Sequence, residues 1–480
     1  MTKGQLYING TFKESTSLAT FDVYNPYSLE VIGKQADATK EDIDAAISGA
    51  IVAFESWRKT TAYERAGYLK KLLKLMHEKE EDIAKVMTQE QGKPLTEAIG
   101  EVRYAASYVS WYAEECLRVT GDILVPSHTG SRLTVTKQPV GPVGIITPWN
   151  FPLAMFVRKM APALAAGCTV VVKPAEQTPL TAVKFFELID EAGFPSGVCQ
   201  LLTGSPEKIG EALMASVSIR KISFTGSTEV GKLLMREASA TLKKVSLELG
   251  GHAPFIVFKE ADLDMAAQGA ITSKFRNCGQ VCVATNRVLV QRDVYDQFVE
   301  KLLEKAKALT FGDGFTNVDM GPIIDKEGFD KVALHVEDAL EKGATCLLGG
   351  KPMRSGDNKG GYLFEPTILT GVTKDMRIAN EETFGPVLPL FVFDTEEEAI
   401  AMANDTPYGL SAYCFTENLS QSIRVTEALE YGMIGLNTGR ISAAQAPFGG
   451  VKMSGFGREG GPYGIEEYLV TKYVAMDYKV

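Results

Sequence analysis

Apolar and polar residues alternate along this chain with two different periods, and the change from one to the other divides it. Over residues 41–118, Ala, Leu, Glu and Lys recur at helical spacing, with Trp57, Leu69, Leu72, Leu73 and Leu75 as apolar markers. That spacing predicts successive amphipathic helices. Residues 121–142 follow, where Ile123-Leu-Val and Leu133-Thr-Val-Thr read as two short strands around a polar turn.

From Val143 onward, short apolar runs alternate with helix-like segments. Val143-Gly-Ile-Ile-Thr is a buried strand, residues 152–166 a helix, Thr169-Val-Val-Val-Lys a second strand and residues 179–192 a second helix. Strands at 198–202, 221–224 and 244–249 continue the series. Wholly apolar strands separated by helices imply a parallel sheet covered on both faces, which binds ligands beyond the carboxyl ends of its strands. A second alternating series over residues 253–435, with Val288-Leu-Val, 388–393 and 433–437 as strands, predicts a second lobe. The tail, 466–476, reads as one more strand.

Composition narrows the class. A chain of 480 residues exceeds one compact core, so two lobes and a smaller appendage are expected. Fifty basic and 60 acidic side chains give a net charge of −10, which argues against nucleic acid or an anionic membrane as partner. The longest apolar stretch, 161–172, is interrupted by Pro162 and Gly167 and falls short of the roughly 20 residues of a membrane span. The first ten residues hold no leader-like apolar run. Seven scattered cysteines do not form a disulfide framework, so a reduced, cytoplasmic protein is expected. Four histidines (His77, His128, His252, His335), none spaced with cysteine as in a zinc site, predict no metal.

Three residues stand out for chemistry. Cys282, in Gly279-Gln-Val-Cys after a helix-like segment, is placed for a nucleophile if the turn and a nearby cation give it thiolate character. A lone cysteine is more often a small buried hydrophobe, and its company decides. Glu248, flanked by leucines at a strand end, is either a paired structural carboxylate or a base with a tuned pKa. Asn150 follows a strand in Pro148-Trp-Asn-Phe, where its amide can donate to a developing oxyanion or form an Asx turn into the next helix. For a cofactor, Phe224-Thr-Gly-Ser-Thr joins a strand to a helix that Ser227 would cap, leaving free N–H groups for an anion. The spacing Gly226 to Gly231 is not the dinucleotide fingerprint. Lys173 and Glu176, just past the second strand, are placed to hold ribose hydroxyls.

Seven motifs in order, Pro148-Trp-Asn-Phe, Lys173-Pro-Ala-Glu, Phe224-Thr-Gly-Ser-Thr, Leu247-Glu-Leu-Gly-Gly, Gly279-Gln-Val-Cys, Glu381-Glu-Thr-Phe-Gly-Pro and Pro447-Phe-Gly-Gly, closely resemble the aldehyde dehydrogenase superfamily across essentially the whole chain. The resemblance implies an α/β fold of two doubly wound parallel-sheet lobes, a Rossmann-like cofactor lobe and a catalytic lobe, with a small β oligomerisation element. It places an NAD(P)-binding domain at 1–120 and 141–250, a catalytic domain at 251–445, and the oligomerisation element at 121–140 and 460–480. It implies Cys282 as nucleophile, Glu248 as the base that activates water, and Asn150 in the oxyanion hole. Thr147, Trp149, Lys173, Glu176, Gly226, Ser227, Leu249, Glu382 and Phe384 would bind the cofactor, and a homodimer or homotetramer is implied.

Within the superfamily the chain looks most like the succinate-semialdehyde dehydrogenases, on Val157-Arg158-Lys, Lys274-Phe-Arg276-Asn and Ile441-Ser442. By that resemblance Arg158, Arg276 and Ser442 hold the distal carboxylate of succinate semialdehyde, with Phe448 beside them. Arginine suits carboxylate geometry, and the bland alternative is that both arginines pair with surface acids. Members of that group often carry a second cysteine two residues after the nucleophile, where this chain has Ala284, so a redox disulfide there is not expected; Cys278 is given no role. Arg440 is a third cation at the substrate mouth or a surface residue; in the first case, 2-oxoglutarate or glutarate semialdehyde becomes a competing substrate, with lactaldehyde a further one. Glu176 would repel a 2′-phosphate, so NAD is expected over NADP. A coenzyme A-acylating enzyme is disfavoured by Glu248. A catalytically silent, crystallin-like relative is disfavoured by Cys282, Glu248, Asn150 and Glu382 occurring together.

Overall fold

The computed structural model describes residues 2–353 and 361–479; Met1, residues 354–360 and Val480, which fall within the expected domains, lie outside the described residues. Among the described residues two large sheets form, one in each lobe. In the first, the strands Lys244–Glu248, Lys221–Thr225, Val143–Ile146, Val170–Lys173 and Cys199–Leu201 lie side by side in parallel. Their side chains point to alternate faces, and the sequence fills both. Val143, Ile145, Val170 and Val172 pack on the helices Leu95–Glu115, Ala154–Ala166 and Leu180–Glu191. Val171, Ile222, Phe224 and Leu247 pack on Lys40–Trp57, Pro206–Ala215 and Thr228–Ala238.

Both edges of this sheet come from distant sequence. The hairpin Leu6–Ile8/Thr11–Lys13 adds antiparallel to Cys199–Leu201, and Gly455–Phe456 adds antiparallel to Lys244–Glu248. The second lobe repeats the scheme around Thr285–Gln291 and Ala253–Val257, flanked by Val387–Phe393, Ser411–Phe415 and Met433–Leu436. Phe255, Val288 and Leu390 face the helices Leu263–Phe275 and Tyr295–Lys307; Ile256, Leu289 and Phe391 face Lys326–Glu341 and Glu396–Asn404.

A separate sheet pairs Leu469–Asp477 with Ser131–Pro139 along nine residues, and Asp122–Leu124 with the other side of Ser131–Pro139. The tail strand therefore starts at Leu469, and residues ahead of it form a short helix, Gly461–Glu466, packed on the first lobe. No helix among the described residues is long and apolar enough to cross a membrane.

This topology gathers the motif residues. Ile146 pairs with Lys173 and Phe224, and Thr225 pairs with Glu248, so Thr147, Lys173, Gly226 and Glu248 all sit at the carboxyl edge of the first sheet.

Candidate active site

Cys282 is set by a strained turn. The helix Leu263–Phe275 ends in Arg276–Gly279, where Asn277 (φ 50°), Cys278 (φ 57°) and Gly279 (φ 75°) are successively left-handed. Such backbone costs about 1–3 kcal/mol at each non-glycine residue and persists only where its surroundings over-determine it. Here they do. Glu97 accepts from the Asn277 N–H at 2.9 Å, and the buried Gln280 side chain donates to the Asn277 carbonyl (3.1 Å) while accepting from the Ile324 N–H (2.9 Å). A Cβ at Gly279 would lie 2.2 Å from the Gly385 carbonyl oxygen, so the turn also needs glycine.

Two cavities meet at this cysteine. One, of about 370 Å³, is lined by Trp149, Asn150, Gly226, Ser227, Leu249, Cys282, Glu382 and Phe384, with Lys331 among its neighbours. The other, of about 210 Å³, is lined by Tyr104, Arg158, Arg276, Arg440, Ser442 and Phe448 and again by Cys282. Cys282 is the residue common to the two walls.

The larger cavity has the donors and acceptors a dinucleotide needs. Ser227 caps the helix Thr228–Ala238 by accepting from the Val230 N–H at 3.3 Å, so an 11-residue helix opens its N-terminus toward the cleft. Glu382 reaches in from the other lobe and accepts from the Gly251 N–H at 3.3 Å. Burial pushes its carboxyl up to about 7. Phe384, itself left-handed (φ 54°), stands edge-on to Trp149 with ring centroids 5.5 Å apart. These residues fit a nucleotide with two ribose hydroxyl sets, a pyrophosphate and a flat ring.

Three residues expected beside the cofactor lie behind or beside this wall. Thr147 is buried, its N–H donating to the Lys173 carbonyl at 3.1 Å. Lys173 is buried and ion-paired to Glu176 at 2.7 Å. Glu176 borders an adjoining cavity that shares Gln177 and Asp325 with the cleft.

Glu248 lines neither cavity. It is buried at the strand end with one carboxylate oxygen unpartnered. Burial first, and then the carboxylate of Glu459, push its pKa well above the usual range, against the pull of Arg158, Lys159 and Arg458. Both effects favour the protonated carboxyl. Cys282 also differs from the sequence expectation of thiolate character: although the residue is only half-buried and lines both cavities, the packing around it pushes its thiol up to about 12, with Arg158 opposing. Asn150 directs one amide N–H to the Gln280 carbonyl at 2.9 Å, which fixes it two residues from the cysteine and leaves its other N–H for a ligand.

Sequence reasoning missed the ion cluster beneath the smaller cavity. Arg158 and Lys159 sit in a helix whose every residue is buried, and both pair with Glu459. The arginine also stacks 4.3 Å from the Phe448 ring centroid, and its Nη2 has no hydrogen-bond partner. The signal was present: two adjacent cations in an otherwise apolar helix require a buried acid. A second unforeseen pair, Lys93 and Glu101 at 2.6 Å, supports the site from behind; Lys93 donates to the Asn150 carbonyl at 2.8 Å, and Glu101 accepts from the Leu153 and Ala154 N–H groups. Arg276 makes no ion pair among the described residues and lies 5.3 Å from the Phe151 ring centroid.

Comparison with known proteins agrees with this architecture. The model of the aldehyde dehydrogenase family matches residues 12–474. A succinate-semialdehyde dehydrogenase of Escherichia coli (strain K12), named for NADP(+), is 50% identical over 473 residues, covering 98% of this chain and 97% of the relative. A glutarate-semialdehyde dehydrogenase of Pseudomonas putida is 51% identical over 473 residues, with the same coverage of 98% and 97%. The crystal structure of an aldehyde dehydrogenase from Brucella melitensis biovar abortus superposes with a TM-score of 0.97 at 55% identity, covering 99% of this chain and 98% of that one. Both in sequence and in fold, the chain belongs to the aldehyde dehydrogenase family.

Proposed function

We propose that this protein oxidises an acid semialdehyde, foremost succinate semialdehyde, to the diacid with NAD(P) as oxidant. The observation that carries the reading is the pair of cavities joined at Cys282. The smaller one is walled by three arginines and by no aspartate or glutamate, in a chain whose net charge is −10. An anionic substrate entering an acidic protein needs such a local reversal, and the unpartnered Arg158 Nη2, Arg276 and the Ser442 hydroxyl are the groups that would receive its carboxylate. Phe448 holds the Arg158 guanidinium flat.

The Cys282 sulfur adds to the aldehyde carbon, its S–H proton leaving, and the carbonyl oxygen takes the negative charge beside the second N–H of Asn150. Trp149, Gly226, Ser227, Leu249, Glu382 and Phe384 would hold NAD(P), with Thr147, Lys173 and Glu176 supporting the adenosine end from the strand edge; the cofactor would supply the two-electron oxidation by which the aldehyde hydrogen leaves as hydride. The carbon then forms a thioester with Cys282. Once ionised, Glu248 takes a proton from water, whose oxygen attacks the thioester and releases the acid and the thiol. The sum is aldehyde, NAD(P)+ and water giving carboxylate, NAD(P)H and two protons.

Because Glu176 stands beside Lys173 and neutralises it, a 2′-phosphate would meet a carboxylate before a cation, and NAD is preferred. Exposed apolar groups on the small sheet, Ile123, Val125, Tyr473 and Met476, support assembly through it into a homodimer or homotetramer, readable by light scattering. The deciding experiment is initial NAD(P)H formation, without coenzyme A, from succinate semialdehyde against neutral butanal with each cofactor. A higher kcat/KM for the acid and for NAD is expected. Preference for butanal overturns the substrate class, and a tenfold advantage of NADP overturns the cofactor preference.

A further inference from the structure

Arg440 has an unusual position. It follows Gly439, whose missing Cβ lets the loop close onto the helix Leu263–Phe275; a Cβ there would lie 2.4 Å from the Gly269 carbonyl oxygen. The Arg440 N–H is further fixed to the Thr438 hydroxyl at 3.2 Å. The backbone is thus held while the guanidinium is exposed and, among the described residues, makes no ion pair or side-chain hydrogen bond. A cation anchored at its base and unpaired at its tip is available to a ligand.

Its surroundings say which ligand. The acyl cavity adjoins a second chamber of about 420 Å³, and Arg276 and Arg440 line both, whereas Cys282 and Arg158 line the acyl cavity but not that chamber. The two arginines therefore stand on the wall shared with the adjoining chamber, which Arg158 does not line. The acids of the adjoining chamber are already engaged: Glu101 with Lys93, Glu97 with the Asn277 N–H, and Asp319 with the Thr310 N–H at 2.8 Å. None is within ion-pair distance of either arginine. Glu97 acts on Arg276 only through space, beyond ion-pair distance, and two like charges facing one chamber are relieved by an anion.

We propose that Arg440 is a specificity-determining residue which, with Arg276, grips the distal carboxylate of acid semialdehydes longer than the four-carbon substrate, beginning with the five-carbon glutarate semialdehyde. This rests on the acid-semialdehyde reading above and extends it by one methylene. A carboxylate on a four-carbon chain meets Arg158, Arg276 and Ser442; one displaced outward leaves Arg158 and meets Arg440 instead.

The test is kcat/KM for succinate semialdehyde, glutarate semialdehyde and pentanal with wild type, Arg440→Gln and Arg440→Lys. In Arg440→Gln the ratio of glutarate semialdehyde to pentanal should fall about tenfold, carried by KM, the scale of one charge-assisted hydrogen bond. The ratio of glutarate to succinate semialdehyde should fall about threefold or more, and Arg440→Lys should recover part of both. Equal losses on all three substrates, or no change in the ratios, overturn the role of Arg440. A wild type that prefers pentanal to both acids overturns the acid-semialdehyde reading itself, whatever Arg440→Gln does.

Discussion

The cofactor cleft and the acyl cavity share a sulfur and are built in opposite ways. The cleft includes turns at the carboxyl ends of strands, such as Gly226-Ser227 and Leu249-Gly250, with the acids Asp325, Glu327 and Glu382 contributed by the other lobe. The acyl cavity is lined by side chains from widely separated segments, among them Tyr104, Arg158, Arg276, Cys282, Tyr413, Arg440 and Phe448. Turns that approach a ligand closely tolerate few sequences and serve many substrates, whereas a wall of side chains can change one residue at a time. On the proposed function, the first arrangement would fix a common oxidant and the second would set which aldehyde enters. The sulfur between them answers to both.

Removing the shared atom should disable both halves at once. In Cys282→Ala, NAD(P)H formation is expected to fall by about 10⁴-fold or more, since no other group forms the covalent adduct. Residual turnover within tenfold of wild type would mean that the junction is not the reaction centre. Next in size is Glu248→Gln, which leaves both cavities intact but removes the base. Rapid mixing should give one equivalent of NAD(P)H per site and then turnover slower by about 10²–10⁴-fold. A full steady-state rate without a burst would assign water activation elsewhere.

A third variant separates the cavities. Arg276→Gln should raise KM for acid semialdehydes by about 10- to 100-fold, the scale of a lost charged contact, while KM for the cofactor moves far less. Parallel changes in both constants would show that the two walls are not independent. The smallest effect is a pH dependence on the cofactor side. With its pKa raised to about 7, Glu382 is ionised above neutrality, where it would accept from ribose hydroxyls, and it would lose that capacity as it protonates with pH falling through 7. Affinity for NAD(P) should therefore weaken by up to about tenfold between pH 8 and 6, following the ionised fraction, and Glu382→Gln should flatten the profile.

The same contrast explains what could be read before the structure. The two-lobe α/β plan was visible because wholly apolar runs such as Thr169-Val-Val-Val-Lys admit little but a buried parallel strand. The edge strands were not: Leu6–Ile8 and Gly455–Phe456 are too short to carry a period, and long-range pairing decides them. Residues of the cleft were legible through turn motifs. The position of Glu248 in sequence was evident, but its burial away from both cavities, and the carboxylate of Glu459 more than 200 residues on that adds to the upward shift, were not; Glu459 is also the partner of Arg158 and Lys159. The thiol of Cys282 shows the limit most plainly. The loop suggested activation, yet the packing that positions the sulfur raises its pKa to about 12, which only the three-dimensional surroundings reveal.

The most direct measurement is peptide mass spectrometry of Glu248→Gln quenched within the first turnover, with succinate semialdehyde present, with and without NAD(P)+. A single added succinyl group on the peptide carrying Cys282, formed only when the oxidised cofactor is present, is the expected result. NAD(P)H produced without any acyl group on that peptide, or with the group on another residue, would contradict a thioester at the junction of the two cavities.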